Sequence, residues 1–125
     1  TDLHENVFPV RHTDDIIVDL GLNYINFARE NRNLYVSLYV DEYGGGELMH
    51  QFSYDYFKNL VKRDPAYSHL NEEQIALLHE STWITVSGIA SLMSSGIINP
   101  TEEEIIKLIE RAIESTLDSK AVKAL

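Results

Sequence analysis

Two short stretches constrain this chain more than any others: Asn71-Glu-Glu-Gln74 and Thr101-Glu-Glu-Glu104. In each, a capping side chain and a Gln or Glu three residues later can satisfy one another's backbone N–H, which is how a helix begins. Leu70 and Ile75 flank the first box as an apolar staple. Behind each box, apolar residues recur at three- and four-residue steps. The first helix is expected to run from Asn71 to Ser95 with Gly96 as its stop, longer than an average globular helix. The second follows Pro100 and carries Ile105, Ile106, Leu108, Ile109, Ala112, Ile113 and Leu117, with "DSKAVKAL" as a fraying tail.

The rest of the chain reads as helical too. Thr1 to His12 is expected to be an irregular lead-in. A helix then starts near Thr13, a plausible N-cap, with Asp14 and Asp15 set against the positive end of the helix dipole. Ile16, Leu20, Tyr24, Phe27 and Ala28 form its stripe, widened by Ile17 and Ile25, and Arg29 to Asn33 ends it. Asn33 to Val40 has strand-like residues, but no other segment offers a strand partner, so a short helix is expected. Tyr43 to Gly46 is a breaker. A helix from about Glu47 to Val61 bears Met49, Phe52, Tyr56 and Leu60 on one face and stops before Asp64-Pro65. The expectation is therefore an all-α bundle of about five helices in a single domain spanning 1–125.

The 125 residues suffice for one domain and one core. With no cysteine there is no disulfide, thiolate metal site or cysteine nucleophile, which fits a reducing cytoplasm. No apolar run is long enough to span a bilayer. The net charge of −10 repels phosphate, and no cluster of Lys and Arg offsets it, so the chain alone is a poor nucleic-acid binder. It begins at Thr1, not Met, as a processed protein or a fragment would.

The last two helices carry apolar arcs wider than one core needs. That points to a second copy and a four-helix bundle on a two-fold axis, in preference to a helix sandwiched within one chain. The expected interface is Gly88, Leu92, Ile105, Ile109, Ala112 and Ile113. Gly88 costs about 1 kcal/mol against alanine inside a helix, so a close crossing would explain it.

Tyr24, Phe27, Tyr35, Phe52, Tyr56 and Trp83 all fall on inward faces, and with Met49 and Ser87 they could line an apolar ligand cavity. Composition by itself favours an ordinary aromatic core. Glu47-x-x-His50 has the spacing of half a carboxylate di-iron site, but no second copy exists, so an ordinary surface histidine is preferred. No hydrolase elbow or phosphate loop is present, and nothing argues for an enzyme, a metal or a cofactor.

"TWITVSGIASLMSSG" resembles the C-terminal regulatory domain of TetR-type transcription regulators, through Trp83, Gly88, Ile89, Ala90 and Leu92. Ser87 stands where the family often has histidine. "YINFARENRNLYVSLY" resembles the same family's Tyr-x-x-Phe-Ala segment through Tyr24, Phe27, Ala28, Leu34 and Tyr35, with Arg32 in place of a common proline. The resemblance implies a homodimer built on the last two helices and a pocket for a small apolar or aromatic ligand. It also implies DNA binding only through an N-terminal helix-turn-helix domain that this chain does not show. A helical interaction module without a pocket is the alternative.

Overall fold

The computed structural model describes residues 10–31 and 45–125, with side chains from 51 onward in the second segment. Every regular element among the described residues is an α-helix: α1 (Ile16–Glu30), α2 (Gly45–Arg63), α3 (Glu72–Ser94), α4 (Glu102–Asp118) and α5 (Lys120–Lys123). The all-α expectation holds at that level. The helix expected over Asn33 to Val40 lies outside the described residues. α2 starts two residues before its expected position, within the play of any helix end.

Both capping boxes form. Asn71 Oδ1 accepts from Gln74 N at 2.9 Å while Asn71 N donates to Gln74 Oε1 at 3.0 Å. Thr101 Oγ1 accepts from Glu104 N at 3.2 Å while Thr101 N donates to Glu104 Oε1 at 2.9 Å. Those Thr101 bonds hold the Glu104 carboxyl below its ordinary range, so this cap loosens as pH falls through the folded-state value.

Helix α1 is the central element. Ile16, Ile17, Val18, Asp19, Gly21, Leu22, Ile25 and Ala28 are all buried, so α3, α4 and α2 enclose it on most sides. The close approach comes at Gly21. A Cβ there would lie 2.7 Å from Ile109 Cδ1 and 3.0 Å from Val86 Cγ1, inside contact distance. The sequence reading assigned the close crossing to Gly88. Gly88 is exposed, with nothing within 4 Å of a built Cβ. The difference is physical. Gly21 is flanked at four-residue steps by fully buried Ile17 and Ile25, whereas Gly88 sits on the outer side of α3.

The entry to α1 also differs from expectation. Asp15, not Thr13, caps the helix, its Oδ1 accepting from Ile17 N at 2.9 Å. Thr13 is committed elsewhere. Its N and Oγ1 donate to Asp19 Oδ1 at 2.8 and 3.1 Å, and His12 N donates to the same oxygen at 2.9 Å. Arg11 Nε pairs with the second oxygen, Oδ2. Asp19 is fully buried, and a buried carboxylate is tolerated only when paired and hydrogen-bonded. It therefore folds residues 11–13 back along the first turn of α1. Tyr67 O–H reaches the other oxygen of the capping Asp15 at 2.7 Å, tying the α2–α3 turn to this end. Burial, and then that carboxylate, push the Tyr67 hydroxyl well above its ordinary range.

Helix α4 shows that the wide apolar arc is used within one chain. Ile105, Ile109 and Ile113 are 2%, 0% and 5% exposed, packed in the core that α1 and α3 share. Ile106 and Leu117 pack at its edge. An interface to a second copy cannot be built from the three buried isoleucines, which corrects the sequence reading for those positions. The C-terminal tail is ordered rather than frayed: Val122 is buried, and its carbonyl accepts from Gln74 Nε2 at 3.2 Å.

Two outcomes follow for stability. Asp19→Ala strands three N–H and O–H donors and one guanidinium, and urea unfolding should show a loss of about 3 kcal/mol. Gly21→Val should cost about 2 kcal/mol by the same measurement, overpacking outweighing the gain in helix propensity.

Candidate aromatic site

Three helices bring their aromatic residues to one place. α3 supplies His79, Trp83 and Ser87, four residues apart and therefore on one side of the helix. α1 supplies Tyr24, and α2 supplies Ser53, Tyr54 and Phe57. The Tyr24 and Trp83 rings meet edge-on with centroids 5.5 Å apart and planes at 61°. The Tyr24 hydroxyl lies 3.3 Å from Ser87 Oγ.

His79 is the centre of the group. It is 3% exposed, and its ring sits 5.3 Å from Tyr54, 5.1 Å from Phe57 and 5.6 Å from Trp83. Its Nε2 lies 3.3 Å from Ser53 Oγ, a hydrogen bond whose direction depends on the tautomer. Edge-to-face aromatic contacts add about 1 kcal/mol each beyond burial, so these rings help hold the three helices together. Thr82 completes the wall. Its hydroxyl turns back to donate to the Leu78 and His79 carbonyls.

Between these side chains lies a cavity of about 50 Å³, bordered by Gly21, Tyr24, Ser53, His79, Trp83 and Val86. That is room for a water or two. The Ser53–His79 pair beside this small cavity combines the residue types of a nucleophile and a base.

Of the residues expected to bind a ligand, Tyr24, Trp83 and Ser87 come together here. Phe27 is one turn along α1 and packs against the Ala28–Ala90 contact instead. Phe52 and Tyr56 are half-buried on α2, on the stripe beside Ser53 and Phe57, and burial raises the Tyr56 hydroxyl above its ordinary value. Tyr35 and the Met49 side chain lie outside the described residues, as do the side chains of Glu47 and His50. Among the described residues no group of three or more His, Asp or Glu is placed to hold a metal ion. Nor is any helix among them long and apolar enough to cross a membrane.

The sequence reading missed His79 and Ser53 as members of the cluster. The signal for His79 was present: it lies four residues from both Ile75 and Trp83, on the apolar stripe of α3. Ser53 gave no comparable signal.

No protein-family model matches this sequence, and neither a curated protein nor a solved structure matches it.

The Tyr24–Ser87 bond joins α1 to α3 across the cluster. A double-mutant cycle with Tyr24→Phe and Ser87→Ala should return a coupling energy of about 1 kcal/mol. Additivity within ~0.3 kcal/mol would show that the two hydroxyls are not partners in solution.

Proposed function

We propose that the chain is the ligand-sensing and dimerisation domain of a TetR-like transcriptional regulator, acting by binding rather than catalysis. A small apolar or aromatic molecule would shift the domain between two conformations, and DNA would be read by a helix-turn-helix domain outside this chain.

The observation that carries this reading is the two-sided character of α3. Its inner side holds His79, Trp83 and Ser87 against the aromatic cluster. On its outer side Leu77, Ile84 and Leu92 are 44%, 61% and 41% exposed around the open Gly88, interleaved with the small residues Ser81, Thr85 and Ser91. With about 3.6 residues per turn, Gly88 falls on the opposite side of the helix from His79. Exposed Leu108 on α4 adds to the apolar surface. Large apolar side chains left exposed along one helix face favour an interaction site. A helix that is at once pocket wall and dimer seam is how ligand binding would alter the spacing of two subunits. The proposed seam keeps Gly88 and Leu92 from the sequence reading, adds Ile84 and Leu77, and takes only the half-buried Ala112 from the rest of α4.

The small volume of the inner cavity favours a second reading, an interaction module that pairs through α3 and α4 but senses nothing. Both readings need the dimer. Sedimentation equilibrium should give a dimer, and Ile84→Glu or Gly88→Arg should make it monomeric without loss of helix signal, because both positions are exposed in the single chain. A wild-type monomer at tens of micromolar (roughly 6 kcal/mol of association or less) would remove both readings. Saturable quenching of Trp83 fluorescence by flat apolar compounds would then favour the sensor over the module.

A further inference from the structure

A second cleft opens between the C-terminal ends of α1 and α3, away from the His79 cage. It has a volume of about 300 Å³. Its existence follows from two alanines. Ala28 on α1 and Ala90 on α3 are 4% and 3% exposed and form a small contact cluster of their own, where larger side chains would have closed the gap. Ile25 continues this apolar floor, and Met93, an unbranched and adaptable thioether, forms one side. Arg29, Ser94 and Asn99 supply the polar groups of the lining.

Arg29 is the unusual member. Acidic residues outnumber basic ones 20 to 10 in this chain. Arg11, Lys58, Lys62 and Lys107 each meet a carboxylate. The Arg29 guanidinium instead lies 3.9 Å from Met93 Sδ, a weak acceptor. Among the described residues no carboxylate pairs with it. The C-terminal carbonyls of α3 do not engage it either, because the chain satisfies them itself. Ser95 N donates to Ser91 O at 3.1 Å, Ile97 N to Leu92 O at 2.9 Å and Gly96 N to Met93 O at 3.1 Å. Gly96 makes that reversal at φ 77°, a conformation that favours glycine.

We propose that this cleft is a binding site for a small amphipathic monocarboxylate, its carboxylate held by Arg29 and its aliphatic tail lying on Ile25, Ala28, Ala90 and Met93. A planar guanidinium matches a carboxylate through two parallel hydrogen bonds. One cation suits a monoanion, whereas a phosphate dianion would meet the acidic field of the whole chain with no second positive group to offset it. The apolar floor asks for a tail rather than a bare ion. The volume, at the lower end of the roughly 300–1,000 Å³ of small-molecule sites, limits that tail to short or medium length. This site does not depend on the regulator reading and shares none of its proposed ligand-binding residues.

The test is a methyl NMR titration of the wild-type chain and of Arg29→Gln with octanoate and with its neutral counterpart octanamide. Arg29 is exposed, so its replacement leaves the core intact. Octanoate should produce saturable shifts at the methyls of Ile25, Ala28, Ala90 and Met93. Arg29→Gln should weaken octanoate about tenfold and leave octanamide unchanged. Absence of saturation, equal octanoate affinity in both proteins, or shifts centred on Leu20 and Val86 at the inner cavity would each overturn the assignment. The last of these would do so while supporting a ligand in the His79 cage.

Discussion

The fold depends on how closely α1 can be enclosed. A single hydrogen at Gly21, in place of a methyl, lets Ile109 of α4 and Val86 of α3 both touch the α1 backbone. That contact makes α1 the axis of the bundle, and it draws α4 inward so that Ile105, Ile109 and Ile113 fill the core of their own chain. Asp19 then fixes how the chain enters this axis. Its carboxylate is out of water, which is costly, and it is tolerated because three backbone and hydroxyl donors and Arg11 converge on it. Replacing such a network with apolar groups of similar shape can be neutral, so the carboxylate is better understood as specifying one path for residues 11–13 than as adding stability.

With α1 and α4 placed, α3 is left with two jobs. The side facing α1 and α2 gathers His79, Trp83 and Ser87 into contact with Tyr24, Ser53 and Phe57. On the other side Leu77, Ile84 and Leu92 stand exposed around Gly88. A fully amphipathic surface helix would carry polar residues throughout that face, whereas here leucine and isoleucine alternate with Ser81, Thr85 and Ser91. Those exposed side chains, on the same helix that walls the aromatic cavity, are the physical basis for the proposal that the domain couples binding to pairing.

Much of this architecture was legible in the residue pattern. The capping boxes at Asn71 and Thr101 formed as expected, because the signal and the structure it specifies are both local. The inward placement of Tyr24 and Trp83 followed from helical periodicity. What could not be read was long-range. Periodicity shows that α4 is widely apolar, but not whether its own chain or a second copy covers Ile109. Likewise a glycine inside a helix announces a close approach or an open surface with equal force; Gly21 turned out to be the first and Gly88 the second. His79 sat on an apolar stripe and could have been found there. Asp19 could not, since its partners lie in a segment without periodicity. Val122 was hidden in a tail whose composition suggested fraying, though its carbonyl docks on Gln74.

The central claim is that α3 joins a ligand-bearing interior to a dimer seam. Native mass spectrometry of freshly purified protein tests it most directly, because stoichiometry and any retained small molecule are read in one spectrum. The account predicts a mass twice that of the 14.3 kDa chain, with any co-purified ligand adding a fixed increment per subunit. A clean monomer across the accessible concentration range would contradict it, and would leave the apolar face around Gly88 without the role assigned to it.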